Sequence, residues 1–230
     1  MKKILYSLLA TCLFLACKTA YVPNTLNVPL FDGSGQMRLS GDLSGNVQFA
    51  ASLAPKFGIM VNGMWKKDGE NTDAVSGKGH FYEAGLGTFN TYNDIIRYEA
   101  YIGAGIGQTM SRDNGKSFEA KGSRVFFQPS IGIHQRIFEI AFTPRLVAGK
   151  FQRPDTDFTT QQLIADKLSE IDKPTWIFLE PALTARVGYQ WLKLQLQLGK
   201  SFKLNKQDLA YKSDLNSVGI IFDLGRKEYR

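Results

Sequence analysis

Ligand-forming residues are scarce in this chain. Two cysteines and two histidines in 230 residues leave almost no material for a zinc or other thiolate and imidazole site. Cys12 falls inside an apolar leader, so a mature chain would keep Cys17 alone and could form no disulfide. No apolar stretch reaches the ~18 residues that a membrane-spanning helix needs. A nucleotide-binding loop is missing as well. Gly103-Ala104-Gly105-Ile106-Gly107 carries no Walker lysine or serine and lacks a strand–turn–helix context, so it reads as the lining of a strand. Charge of one sign is in only mild excess, +7 overall, and Lys2 and Lys3 of the leader supply part of it. An exported chain with so small a surplus has no footing on nucleic acid.

What is present is apolar content and order. Hydrophobic residues make up 43% and aromatics 12%, which excludes a disordered chain. The length fits a single all-β barrel domain. Met1-Lys2-Lys3 is a basic n-region and Ile4 to Ala16 an apolar h-region, so residues 1–16 read as a signal peptide. Phe14-Leu15-Ala16-Cys17 resembles a bacterial lipobox, with Phe14 where leucine is usual. The resemblance implies cleavage before Cys17 and a covalent lipid on it, with no other cofactor; an ordinary secretory signal cut nearby is the alternative. Several acyl chains on one terminus suffice for stable anchoring. Residues 17–36 are rich in Pro, Asn and Gly without periodicity, and read as a lipid-anchored extended tether. Within it, Tyr21-Val22-Pro23-Asn24 and Asn27-Val28-Pro29-Leu30-Phe31 resemble the segment after the cysteine in uncharacterised outer-membrane lipoproteins of the Bacteroidota. That resemblance implies an envelope location and assigns no activity.

Residues 37–225 alternate. Leu192-Lys193-Leu194-Gln195-Leu196-Gln197-Leu198 has an apolar residue at every second position, which places the leucines on one face of a strand and the polar residues on the other. The pattern predicts about ten strands, near 37–44, 46–54, 57–67, 79–90, 95–110, 123–135, 137–151, 175–189, 191–203 and 214–225. Short turns fall at Ser44-Gly45-Asn46, Pro55-Lys56, Asn90 to Asp94, Arg136 and Gln190. Longer polar connections are expected at 68–78, 111–122, 152–174 and 204–213, all at the end opposite both termini. This is the layout of an all-β, antiparallel up-and-down transmembrane β-barrel. The only helical signal is Thr160 to Ile171, where Leu163, Ile164, Leu168 and Ile171 make a stripe; it predicts a short helix over a barrel mouth or a partner-binding helix. Residues 226–230 form a basic tail past Phe222-Asp223-Leu224, where such barrels more often end on an aromatic residue.

Alternation alone fits a membrane barrel or its inverse, a soluble lipocalin-like barrel around a hydrophobic ligand. Three features favour the membrane. Many strands exceed ten residues. Trp65, Tyr82, Trp176, Tyr189 and Trp191 sit at strand ends, as interfacial girdles do. Gly85, Gly87, Gly103, Gly105 and Gly107 share the polar face, where they would make room for long Arg and Glu side chains. The lumen then holds Arg97, Glu99, Glu139, Arg145, Glu180, Arg186 and Lys193, nearly balanced in charge, and an ion-paired network is expected there.

Candidate chemistry is thin. Ser130 and His134 share a face, and Glu139 follows on the next strand, the residue types of a Ser-His-acid device in an envelope lipid-modifying enzyme. Four residues along a strand span ~13 Å, too far for a direct bond, and a polar lining is the plainer reading. Lys200, Lys203, Lys206 and Lys212 surround the last long loop, where they would meet lipid phosphates, an acidic partner or solvent. The leading expectation is a lipid-anchored outer-membrane barrel with periplasmic termini and external loops. It would act without catalysis, as a structural or accessory subunit contacting outer-membrane lipid and other outer-membrane proteins. A narrow pore for small solutes, a soluble ligand-binding barrel and a lipid-modifying enzyme are the alternatives.

Overall fold

The fold comes from a computed structural model, which describes residues 19–68, 75–189 and 191–225. The expected signal peptide, Cys17 and the basic tail at 226–230 lie outside the described residues.

Ten strands close a barrel: β1 (Met37–Asp42), β2 (Asn46–Ala54), β3 (Phe57–Asp68), β4 (Val75–Tyr92), β5 (Ile96–Asp113), β6 (Lys116–His134), β7 (Phe138–Phe151), β9 (Trp176–Tyr189), β10 (Leu192–Gly199) and β12 (Ser217–Leu224). Two-residue strands β8 (Asp155–Thr156) and β11 (Phe202–Lys203) extend β6 and β9 within loops. Every barrel strand is antiparallel to its neighbours, and β12 returns to β1 with Met37 opposite Leu224 and Asp42 opposite Gly219. The ring therefore has no free edge on which another strand could grow. The expected ten-stranded antiparallel meander is observed, with β4, β5 and β6 longer and β10 and β12 shorter than expected.

The faces are as unlike as the alternation requires. Leu194 is 62% exposed while its neighbour Lys193 is 1% exposed. Tyr98, Ile102 and Ile106 on β5, Val125, Phe127 and Ile131 on β6, and Phe138, Ile140 and Phe142 on β7 all stand outside. Their odd or even neighbours point in and are mostly polar or small, with Tyr101 and Phe126 among the exceptions. A soluble barrel with an apolar interior is thus ruled out by the orientation itself. From Ile96 to Ile106 the outward residues run apolar for ~33 Å of strand, or ~25 Å of height at the usual tilt, which matches the hydrocarbon band of a membrane barrel. Above Tyr82, Ile106 and Val125 the same faces carry His80, Lys78, Gln108, Lys121 and Glu119. The wall is uneven. β4, β5 and β6 are 18 or 19 residues long, whereas β1, β10 and β12 have 6 or 8.

Two expectations about connections and girdles change. The stretch 111–122 is not a long loop. β5 and β6 continue through it and meet at Asn114-Gly115, both with positive φ (48° and 78°). An Asn-Gly pair in that conformation is the preferred two-residue hairpin turn, and it pulls the polar flanks into the ladder. Trp176 is not part of a girdle. It shares parity with Phe178 and Glu180, is fully buried, and donates from Nε1 to Ile171 O at 2.8 Å. Trp65, Tyr82, Tyr189 and Trp191 do face outward.

The long connection after β7 carries helix α1 (Thr160–Ala165), one turn and a half begun by a capping box between Thr159 and Gln162. The helix stops before Leu168 and Ile171, which leave the expected stripe and bury themselves with Phe118, Phe158, Trp176 and Phe178 in one apolar cluster capping the lumen. Ile164 stays exposed. The loop is pinned to the tall β6 by Asp157, whose carboxylate accepts from the Ser117 hydroxyl (2.7 Å) and amide (3.2 Å). Those bonds hold its carboxyl below the usual range.

The orientation of the wall gives a direct test. Leu196→Arg on β10 is expected to destabilise the folded barrel by ~2–4 kcal/mol, read from urea unfolding in phospholipid vesicles. An unchanged unfolding midpoint would place Leu196 away from hydrocarbon.

Candidate functional site: a plugged, ion-paired lumen

The segment expected to be a tether is the centre of the barrel. Residues 20–21 and 23–31 are buried, most of them completely. They run through the lumen from the loop between β10 and β12, which Ala20 and Tyr21 meet, to the start of β5, where Leu30 turns with φ 51°. Lining side chains hold them there, so the described chain does not have both ends at the short-turn face as expected. Gln197 clamps Leu26 from both sides, its Oε1 accepting from the amide (2.7 Å) and its Nε2 donating to the carbonyl (3.0 Å). Gln48 donates to Thr25 O (2.7 Å) and Gln128 to Asn27 O (2.6 Å). Side-chain amides thus do for this segment what a neighbouring strand would do, satisfying backbone groups that water cannot reach. Leu26, Val28 and Leu30 pack with Ala141, Ala182 and Leu215.

The charged lining falls into two groups stacked along the axis. In the half nearer the short turns, Glu139 is the hub. Arg38 grips it with two bonds (2.8 and 2.9 Å), and Arg186 Nη1 (2.8 Å), Lys193 Nζ (2.7 Å) and His134 Nδ1 (2.8 Å) complete its shell. Asp223 joins through Arg38 (2.6 Å) and Lys193 (2.8 Å). In the half nearer the long loops, Arg145 bridges Glu180 (2.6 Å) and Glu83 (3.4 Å), and Arg124 Nε binds Glu83 at 2.7 Å. The threaded segment enters both groups. Tyr21 donates to Glu180 (2.7 Å), Arg145 to Asn24 O (3.2 Å), Arg186 to Val28 O (2.7 Å) and Arg97 to Leu30 O (2.7 Å). Glu99 accepts from the Leu30 amide at 2.8 Å, and Arg97 also pairs with Asp32.

All seven residues named from the sequence therefore stand in the lumen, but not as one network. Glu139, Arg186 and Lys193 form one group, and Arg145 and Glu180 the other. Arg97 and Glu99 serve the threaded segment. Sequence reasoning left Arg38, Glu83 and Arg124 unassigned, although each breaks an apolar alternation at an inward position. The buried cations Arg38, Arg97, Arg124, Arg145, Arg186 and Lys193 face the buried carboxylates Glu83, Glu99, Glu139, Glu180 and Asp223, with half-buried Asp32 bonded to Arg97 and half-buried Asp42 to Thr25. The glycines do a different task from the one expected. A Cβ on Gly103 would meet Phe126 at 2.4 Å and one on Gly107 would meet Phe81 at 2.1 Å, so the groove seats aromatic rings; only at Gly105 does a Glu83 stem press in.

Ser130, His134 and Glu139 all point inward and are buried, but no hydrogen bond joins His134 to Ser130, and Glu139 is committed to three cations. Among the described residues no group of three His, Cys, Asp or Glu could hold a metal ion. A cavity of about 120 Å³ remains at the long-loop mouth, between Thr19–Val22 and β3 to β7, with Met64, Phe81, Arg124 and Phe151 in its wall.

The chain has an outer-membrane-type barrel fold. No family model and no curated protein matches it. Among solved structures it is similar to the translocator domain of the autotransporter NalP from Neisseria meningitidis, at 10% identity over 82% of this chain and 85% of that one, with a TM-score of 0.46. A bacterial polysaccharide outer membrane secretin is matched at 9% identity over 86% of this chain and all of that one, with a TM-score of 0.24. At these values neither likeness bears on what the chain does.

Glu139→Gln is the sharpest probe of the lumen. It removes the charge facing Arg38, Arg186 and Lys193 while keeping the shape, and the expected loss is ~3–5 kcal/mol in barrel unfolding. A loss below ~1 kcal/mol would mean that water already screens the group.

Proposed function

We propose that this chain is a non-enzymatic structural or accessory subunit of an outer-membrane protein assembly, held by its barrel wall and by a lipid on Cys17. The observation that carries this reading is the filled lumen. A barrel stoppered by its own chain and by paired charges has its loops and its outer wall left for contact with other molecules. An N-terminal lipid adds little to the retention of a barrel already in the membrane, which favours a role as a positioned partner.

The wall offers a place for such contact. Across the register Val61, Ala84, Ala104, Val125 and Ala148 lie side by side on neighbouring strands. The three alanines leave a shallow apolar groove of about 800 Å³ bounded by Ile59, Leu86, Ile102, Phe127 and Leu146. Small residues in a lipid-facing surface let another protein's backbone approach closely, the usual source of packing energy inside a bilayer.

Purification in mild detergent is expected to recover other membrane proteins with this chain in fixed ratio; a free monomer and nothing else would count against the proposal. Ala104→Phe fills the groove and is expected to lower partner recovery several-fold while the barrel keeps its heat-modifiable migration. The pore reading makes the opposite demand of the lumen. In planar bilayers the purified protein is expected to be silent, and discrete openings would favour a pore instead.

A further inference from the structure

Filling of the lumen stops short of the long-loop mouth, where the cavity of about 120 Å³ lies against Thr19–Val22. Small inward residues make the room. On β4 a Cβ added to Gly77 would meet nothing nearer than Met110 O at 4.0 Å, and one on Gly79 nothing nearer than Gln108 O at 3.4 Å, so both glycines face open space. Ala120 faces the same space from β6. The Ala20–Tyr21 side of the cavity is fixed. Thr109 Oγ1 donates to Ala20 O (3.2 Å), the Ala20 amide to Ala210 O (2.9 Å) and the Lys212 amide to Tyr21 O (2.9 Å). The space is therefore built into the fold. One group in its wall is short of partners. Arg124 is 3% exposed, its Nε donates to Glu83 at 2.7 Å, and its Cζ lies 3.9 Å from the centre of the Phe81 ring. Nη1 and Nη2 have no hydrogen-bond partner and are buried from bulk water. Glu83 has nothing left for them, because its other oxygen already accepts from Asn24 and Asn62 (3.3 Å each) and Arg145 (3.4 Å). Stacking on Phe81 uses only the face of the guanidinium; its hydrogen bonds lie in the plane.

We infer that the long-loop mouth is a binding site for a small organic monocarboxylate, whose carboxylate pairs with Arg124 and whose apolar body lies between Met64, Phe81 and Phe151. Unpaired guanidinium nitrogens in a buried place are costly, and a carboxylate offers them two acceptors in one plane. Charge agrees. Lys66 also points inward at the cavity, and no described carboxylate lines it. The rest of the wall, Val22 with the three apolar side chains already named, suits hydrocarbon. It disfavours a dianion such as phosphate, whose hydration it does not replace. Volume sets the size of the body, since an apolar cavity of about 150 Å³ takes benzene. A concave, mostly apolar pocket with one well-placed polar group is the usual form of a small-molecule site. This site is separate from the outer-wall groove proposed above for a protein partner, and neither depends on the other.

Benzoate is the probe and benzamide its neutral isostere. The full chain is purified in mild detergent, its closed barrel verified by heat-modifiable migration, and titrated calorimetrically against a blank of detergent alone. Saturable binding of benzoate is expected, with benzamide and inorganic phosphate at least ~10-fold weaker. Gly79→Leu fills the space without touching Arg124 and is expected to abolish the binding. Arg124→Lys keeps a cation facing Glu83 but loses the planar fork, and is expected to weaken benzoate by ~10-fold or more. Benzamide binding as tightly as benzoate leaves a plain apolar cavity and overturns the carboxylate assignment. Phosphate binding as tightly as benzoate overturns the monocarboxylate class. No benzoate binding, or binding that survives Gly79→Leu, overturns the site itself. Should Arg124→Lys fail to form a closed barrel, Gly79→Leu and the benzamide comparison still decide between these outcomes.

Discussion

Paired charge in a dry lumen is the constraint from which the other features follow. Hydrocarbon outside and a ring of ten strands keep bulk water from the inward side chains, so an ionised group there needs an opposite charge or, as at Glu99, a hydrogen-bond donor within reach. Glu139 illustrates the demand. A single carboxylate holds Arg38, Arg186 and Lys193, three strands that are not all neighbours in the ring, and so ties the circumference across its diameter. Arg145 does the same between Glu83 and Glu180. Such bonds are directional where the apolar wall is not, and they specify which strands face each other.

The threaded segment is the second half of that solution. Side chains alone leave gaps in a ten-stranded lumen, and a gap beside a buried guanidinium needs an acceptor. Backbone carbonyls of Asn24, Val28 and Leu30 supply acceptors to Arg145, Arg186 and Arg97, while Leu26, Val28 and Leu30 fill the apolar spaces between. A free peptide would lose much entropy on being held this way; one covalently joined to β1 loses less.

The barrel was legible because a strand's period is two and its faces are chemically opposite. Lys193 among leucines, or Glu139 between Phe138 and Ile140, reads as inward without further knowledge. Trp176 was misplaced because its position at a strand end weighed more than its parity with Glu180. The extent of β5 and β6 was missed because polar residues above the membrane carry no alternation, though Asn114-Gly115 marks the turn. The two charge groups could not be separated, since pairing across the lumen depends on shear and register rather than on sequence distance. The threaded segment left the faintest trace. Leu26, Val28 and Leu30 do alternate with Thr25 and Asn27, but Pro23 and Pro29 bracket the run and point away from a sheet, and a segment enclosed on all sides needs no periodic code.

Topology joins closure of the ring to occupation of its centre. Only Gly33 to Gln36 separate the threaded residues from β1, and β1 forms the closing pair with β12. Arg38 on β1 and Asp223 on β12 face each other across that seam, and both reach the hub that Arg186 shares with Val28 O. The segment is tied to the seam directly through Thr25, which donates to Asp42 at the end of β1, and indirectly through Arg186. Each short strand is weak by itself, with six or eight ladder residues where the far wall has eighteen. Arg38, Lys193 and Asp223 come from these short strands and meet Glu139 of β7 in the denser ion-pair hub, so charge offsets that deficit.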